Sequence, residues 1–302
     1  MKKIKIAFIM SGLAGGVGSV ILNYFDFMPS DDYEIHIVTQ DIKSDKYIEM
    51  YESRGFKVIK IPSKKESVVN NISCLMKLMK KNKYDIVHSH MTLTNFFPLV
   101  VAKICGVKIR ISHSHMAEKH TIKTYILAFL AKIVATDYFA CGQDAGKFLF
   151  GHSEFTVLKN AIDLEKYTFN YDIRIKERKE LGAADDTIII GHVGRFAKQK
   201  NHDFIIDVFS KINSIEPNSI LVLVGTGELM EKMRKKVIDL NLQDKVKFLG
   251  LIDDVYRKLQ AFDLFLLPSL YEGLCIAAVE AQATGVSCLF SDNVARETKK
   301  KF

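Results

Sequence analysis

The sequence predicts an α/β protein built from two consecutive doubly wound parallel-sheet domains. Three observations lead there. Short apolar, β-rich runs alternate with longer helical stretches along all 302 residues, the pattern of a parallel sheet with right-handed crossovers. The runs lack a clean polar/apolar alternation, as expected of strands covered on both faces. The pattern pauses once, in the polar stretch Asp163–Lys179, and then restarts, so a domain junction is expected near residues 160–180. A chain of this length suits about two domains at ~100–200 residues each.

The first run, Ile4–Met10, follows a basic start and so imitates a signal peptide. It is short, alternates early with Lys and leads into a Gly-rich turn, which reads as a buried first strand. Further strands are expected at Glu34–Thr39, Lys57–Ile61, Asp85–His88, Lys108–Ser112, Asp137–Cys141 and Phe155–Leu158, with helices such as Gly18–Phe25, Val68–Lys81 and Thr121–Ala135 between them. After the junction come strands at Thr187–Val193, Ser219–Val224, Lys245–Leu249, Asp263–Leu267 and Val286–Phe290. Helices at Asp203–Ile212, Leu229–Leu240, Asp254–Ala261 and Ala277–Thr284 separate them. Ligands bind such sheets at the carboxyl ends of the strands, so two of them facing each other would form a cleft. The second domain is expected to be short at its end, where the sequence runs out in the basic, non-periodic ARETKKKF.

Composition narrows the class. With 48% hydrophobic and 26% charged residues and only 5 Pro, the chain is globular and not disordered. The five cysteines (74, 105, 141, 275 and 288) contain no C-x-x-C pair, which excludes a zinc ribbon and a disulfide framework and points to a reducing cytoplasm. The most apolar stretch, Tyr125–Val134, is too short to span a membrane and carries Lys132. The net charge is +8, and residues 1–165 hold 22 Lys and Arg against 16 Asp and Glu. That suits anionic lipid or phosphorylated substrates as well as it suits a merely solvated surface. No basic-aromatic module for nucleic acid is present.

Five constellations carry chemistry. Ser11–Gly18 holds glycines 12, 15, 16 and 18 between the first strand and helix, where backbone N–H groups and the helix N-terminus can meet an anion; a plain tight turn has the same look. Gly194-Arg195-Phe-Ala-Lys-Gln-Lys200 follows the first strand of the second half, and Arg195 with Lys200 can grip two oxygens of a diphosphate. Leu221–Gly227 ends a strand in Gly225-Thr-Gly227, again a phosphate-friendly turn, though weak alone. Pro268–Glu280 places Glu272 on a loop and Glu280 about two turns into the next helix, both able to face one side. Glu280 lies among Ala and Val and needs a polar partner. Lastly, His88-Ser-His90 and His113-Ser-His115 follow short strands. They read as polar strand ends, as cleft-lining histidines, or as a four-nitrogen metal site that lacks the usual Asp or Cys ligands.

Taken together, these residues resemble the retaining glycosyltransferase family 4, especially its bacterial capsular and exopolysaccharide members. The likeness covers roughly residues 1–295. It runs through Gly15–Gly18, ISHSH, GRFAKQKN and LVLVGTGEL to PSLYEGLCIAAVEAQATG, whose Glu272-x7-Glu280 pair is the family's signature. The resemblance implies a GT-B fold, with an acceptor-binding domain over 1–165 and a nucleotide-sugar domain, incomplete at its end, over 166–302. It implies that Arg195 and Lys200 bind the donor diphosphate, that Glu280 holds the ribose, and that Glu272 with the amides of Gly273 and Leu274 contacts the donor sugar. His113 (with His115 as second choice) would stand near that sugar, and Gly15, Gly16, Gly194, Gly225 and Gly227 would line the donor site. Catalysis would need no metal or cofactor. The donor, of UDP type by analogy, would pass its sugar to a saccharide or lipid-linked saccharide at the cytoplasmic face of the membrane, with peripheral contact through the basic first half. The early end also admits an inactive or partner-dependent subunit.

Overall fold

A computed structural model describes residues 3–28, 31–42, 45–117 and 121–299. The start of the basic N-terminal run and the end of ARETKKKF lie outside the described residues. The chain divides into two compact units, Met1–Ala161 and Ile162–Phe302.

The first unit, among the described residues, is a seven-stranded parallel sheet. Its strands are β1 (Ile4–Gly12), β2 (Tyr33–Asp41), β3 (Lys57–Lys60), β4 (Ile86–Ser89), β5 (Ile109–Ser114), β6 (Asp137–Ala140) and β7 (Thr156–Val157), in the order β3-β2-β1-β4-β5-β6-β7. The crossovers are α1 (Gly16–Asp26), α2 (Asp45–Glu52), α3 (Val68–Asn82), α4 (Phe96–Ile104), α5 (Ile122–Val134) and α6 (Gln143–Phe150). The continuous apolar run of β1 has a direct cause. Ile6 and Met10 join one core with Ile21, Phe25 and Ile37, whereas Ala7 and Ile9 join another with Leu75, Val87 and Leu99. Alternate side chains leave a strand on opposite faces, and here both faces are buried. Helix starts are capped where the sequence allows: Ser67 accepts from the Asn70 amide, and Thr121 and Thr124 form a capping box at α5.

The second unit is a five-stranded parallel sheet, again among the described residues. It comprises β8 (Ile188–Val193), β9 (Ser219–Val224), β10 (Val246–Gly250), β11 (Leu264–Leu267) and β12 (Ser287–Phe290), ordered β10-β9-β8-β11-β12. The polar junction stretch is two helices, α7 (Leu164–Tyr167) and α8 (Tyr171–Glu180), followed by α9 (His202–Ile215), α10 (Met230–Asp239), α11 (Val255–Ala261) and α12 (Ile276–Ala283). The same two-faced burial holds: Val222 and Val224 of β9 enter one core, and Leu221 and Leu223 the other. β12 is an edge strand and leaves Leu289 61% exposed.

Several expected bounds move by a residue or two. Two differences matter for the site. β5 runs on through His113, so this histidine is a strand residue and does not follow the strand. Glu280 lies only about one turn into α12, which begins at Ile276 and not two turns before. The expected apolar helix Thr121–Ala135 is α5, and it is not wholly core. Ala128, Ala131 and Val134 are buried, but Ile122, Tyr125, Ile126, Phe129 and Ile133 are each more than half exposed.

Candidate active site

In the second sheet the strand order reverses between β8 and β11. Loops leaving the carboxyl ends of those two strands diverge, and ligands enter such sheets there. The loop after β8 carries Gly194, Arg195 and Lys200, and the loop after β11 carries Glu272. The two loops are stitched together. The Leu270 amide donates to the Gln199 carbonyl at 2.8 Å, Gln199 Nε2 to the Tyr271 carbonyl at 3.0 Å, and Asn201 Nδ2 to the Pro268 carbonyl at 3.3 Å.

Between them stands a buried ion pair. Lys200 Nζ lies 2.5 Å from Glu272 Oε1, with side-chain exposures of 14% and 8%. Ser269 Oγ donates to the same carboxylate oxygen at 3.1 Å, and Lys200 Nζ reaches Cys275 Sγ at 3.5 Å. Burial works against the lysine charge, but Cys275 and Glu272 outweigh it and raise the Lys200 pKa above its ordinary value. Burial pushes the Cys275 thiol up, against the pull of Lys200. A paired charge held this way survives burial because its partner and hydrogen bonds replace water.

Arg195 sits in different surroundings. Its side chain is 72% exposed and its nearest acid is Glu228, at 3.8 Å. The two cations expected to work as one grip are thus one solvated and one buried. Gly225 and Gly227 have a packing task. Gly225 has φ +133° and a Cβ there would lie 2.1 Å from the Gly194 carbonyl oxygen; at Gly227 it would lie 2.5 Å from that of Phe196. These glycines let the β9 loop bond the β8 loop, with Phe196 N–H donating to Thr226 O at 3.0 Å and Leu229 N–H to Phe196 O at 3.0 Å. Gly273 and Leu274 lie just before α12, beside Glu272.

Glu280 has the polar partner its apolar helix demanded. Tyr167 OH donates to Glu280 Oε1 at 2.8 Å. Burial raises the carboxyl pKa, against the pull of Tyr167 and Lys166. Tyr167, Ser269 and Cys275 are site neighbours that the sequence reading missed. The need for a partner to Glu280 was visible, but not which residue would supply it.

In the first sheet the order reverses between β1 and β4. Gly15 caps α1 with φ +92° and open space where a side chain would be, and Gly16 begins the helix. β4 and β5 bring the four histidines together. His88 Nε2 and His113 Nδ1 are 3.1 Å apart, and His90 Nδ1 and His115 Nε2 are 2.8 Å apart. Asn95 ties the strand ends, accepting from Ser89 Oγ at 2.7 Å and donating to Ser112 Oγ at 2.9 Å and His113 O at 3.1 Å. Burial lowers every one of the four pKa values, to about 3 for His88 and about 4 for His115, and well below the usual range for His90 and His113. All four rings are therefore neutral at physiological pH.

Comparison with known proteins agrees with this architecture. The family described as Glycosyltransferase Family 4 matches residues 14–166, and that described as Glycosyl transferases group 1 matches residues 173–297. The chain is 31% identical to the EpsF protein of Bacillus subtilis (strain 168), covering 96% of this chain and 79% of that one. It is 29% identical to a UDP-Gal:alpha-D-GlcNAc-diphosphoundecaprenol alpha-1,3-galactosyltransferase of Escherichia coli, covering 96% and 80%. Among solved structures, HepE of Anabaena in complex with UDP and glucose superposes with a TM-score of 0.80 at 19% identity, covering 96% of this chain and 81% of that one. That likeness speaks for the GT-B fold.

Proposed function

Because this chain belongs to glycosyltransferase family 4 and is by that membership a glycosyltransferase, we propose that it moves a hexosyl or N-acetylhexosaminyl group from a UDP-sugar to a saccharide or lipid-linked saccharide. The transfer retains anomeric configuration and serves bacterial surface polysaccharide synthesis. The observation that carries this reading is the buried Lys200–Glu272 pair at the switch point of the second sheet. A permanently charged, desolvated ammonium at that place is suited to a diphosphate, and a carboxylate beside it to sugar hydroxyls. The names of the relatives support a nucleotide-sugar donor and a lipid-linked acceptor.

In this reading the diphosphate displaces Glu272 as the partner of Lys200, and Arg195 closes on the outer phosphate oxygens from solvent. Glu272, released, takes sugar hydroxyls together with the amides at Gly273 and Leu274. Glu280 uses the oxygen that Tyr167 leaves open for the ribose diol. As the bond from the anomeric carbon to phosphate oxygen breaks, Lys200 and Arg195 meet the charge that grows on the leaving diphosphate. The acceptor hydroxyl attacks that carbon from the same face, and its proton passes to the phosphate. His113, neutral, orients the sugar. No metal takes part in the transfer.

The exposed face of α5 supports peripheral contact with an anionic membrane. Ile122, Ile126, Phe129 and Ile133 form one stripe, flanked by the exposed Lys123, with no acid in the helix. No helix among the described residues is long and apolar enough to cross a membrane. Flotation with anionic vesicles at low salt tests this contact; a chain left at the bottom of the gradient refutes it.

The donor site is tested by thermal unfolding with UDP, GDP and ADP, for the unchanged chain and for Lys200→Ala and Glu280→Ala. At ~100 times its dissociation constant a nucleotide stabilises by about 2.7 kcal/mol. Stabilisation by UDP, lost in both variants, is the expected result. A response to GDP or ADP alone overturns the UDP donor, and no response to any nucleotide overturns the donor site.

A further inference from the structure

The histidine block is more than a lining. His88, His90 and His113 each offer a ring nitrogen, and these atoms lie within 4.8 Å of one another. Nε2 of His90 and Nε2 of His113 are buried and have no hydrogen-bond partner, an arrangement that folded proteins rarely leave without a ligand or a purpose. The opposite nitrogens of the same two rings are engaged: His90 Nδ1 with His115 Nε2, and His113 Nδ1 with His88 Nε2. With each Nδ1 donating its proton in those bonds, both Nε2 atoms carry lone pairs. A second-sphere bond of this kind sets the tautomer of metal-ligating histidines.

We propose that the carboxyl ends of β4 and β5 form a binding site for a borderline divalent transition-metal ion of the Zn²⁺ or Co²⁺ kind. His90 and His113 ligate through Nε2, His115 orients His90, and the His88 ring supplies a third nitrogen once its Nε2 exchanges the bond from His113 Nδ1 for the ion. Three imidazoles with no carboxylate favour such ions over Mg²⁺ or Ca²⁺. Three protein ligands leave one coordination position open. Tetrahedral ligation at Zn–N of about 2.0–2.1 Å brings the nitrogens closer together than their present spread, so the rings tighten on binding. The Asn95 bridge to Ser89, Ser112 and His113 holds the strand ends that carry them. The ion has no place in the transfer proposed above. It occupies the His113 nitrogen that transfer uses and so acts as an inhibitor, a consequence that rests on that reading, whereas binding itself does not.

The test is titration of the chelator-treated chain with Zn²⁺ by calorimetry and with Co²⁺ by visible absorption, together with X-ray absorption of the Zn²⁺ complex. One ion per chain is expected, with a shell of nitrogen neighbours showing imidazole scattering and no sulfur. His90→Gln and His113→Gln should weaken binding at least tenfold. His115→Ala should weaken it about 10–100-fold through its orienting bond, and the exposed His152→Ala should leave it unchanged. Absence of binding, sulfur in the shell, or equal affinity in the His90 and His113 variants overturns the site. The X-ray result on the unchanged chain decides the matter even if a variant misfolds. If Zn²⁺ binds and turnover continues undiminished, the metal site stands and the role given to His113 in transfer falls.

Discussion

The two switch points of this molecule have one topology and opposite electrostatics. In the first sheet, β4, one strand of the switch point, and its neighbour β5 end in three buried imidazoles and one half-buried one, all neutral. In the second, the ends of β8 and β11 hold a buried lysine and carboxylate that keep their charges by pairing. Even the glycines differ: Gly15 faces open space, whereas Gly225 and Gly227 press against neighbouring backbone. A doubly wound sheet thus provides a place for chemistry but not the chemistry itself, which the loop residues choose.

Acid should separate the two units most. His36, His88, His90, His113 and His115 in the first unit, and His192 and His202 in the second, all have pKa values lowered by burial. A histidine lowered in the folded state binds fewer protons there than in the unfolded chain. Stability from this source is therefore full above the unfolded pKa of about 6.5 and is lost as pH falls toward the folded values, about 3 to 4 where they are fixed. Each group contributes up to about 1.4 kcal/mol per pH unit in that window. With five such groups against two, the first unit should open first. Hydrogen exchange read separately over residues 1–161 and 162–302 at pH 7, 6 and 5 checks this; equal acid sensitivity would break the comparison.

Lys200→Ala should be the most damaging single change in the second unit. Removing one partner of a buried pair costs about 3–5 kcal/mol, and turnover should fall at least ~100-fold. Adding Glu272→Gln to Lys200→Ala should restore much of the melting temperature and none of the turnover. Recovery of both would deny the pair a role in chemistry. The glycines give the next effect. Gly225→Ala must move the Gly194 carbonyl as well as hold a φ of +133° and should be the costlier of the two, whereas Gly15→Ala meets open space and only the strain of its φ +92°, ψ −175° backbone, about 1–3 kcal/mol. Urea midpoints of the two variants, if equal, would show that the β8 and β9 loops yield easily.

The smallest effect is the most specific. Tyr167→Phe leaves the Glu280 oxygen without its donor and should cost about 1–3 kcal/mol. Glu280 has a raised folded pKa, so its contribution is full below the unfolded carboxylate value and is lost as pH rises through the folded one. Tyr167 opposes that rise, so the variant should lose more stability than the unchanged chain between pH 4 and 7. Parallel pH profiles of stability would mean that the tyrosine does not govern the carboxylate.

Much of this was legible in the sequence, for identifiable reasons. The β1 run was readable because both of its faces are buried, and the two-unit division because the polar stretch at α7 and α8 interrupts the alternation. The candidate cations, carboxylates and histidines were all named in advance. Their partners were not. Lys200 and Arg195, neighbours in sequence, differ because one side chain turns under the β11 loop and the other into solvent. Composition marked Thr121–Ala135 as an apolar helix, and only the packing of α5 shows that one apolar face stays uncovered.

The sequence by itself determined the periodicities: which segments are strands, which are helices, where glycine must stand for a turn, and which residue types end the central strands. These follow from local geometry and from the number of faces each segment buries. The tertiary structure decided who meets whom. Tyr167 reaches Glu280 across 113 residues, and two His-Ser-His motifs become one block only because β4 and β5 are neighbours in the sheet. Strand order is a property of the whole chain, and it is strand order that turns separate polar residues into partners.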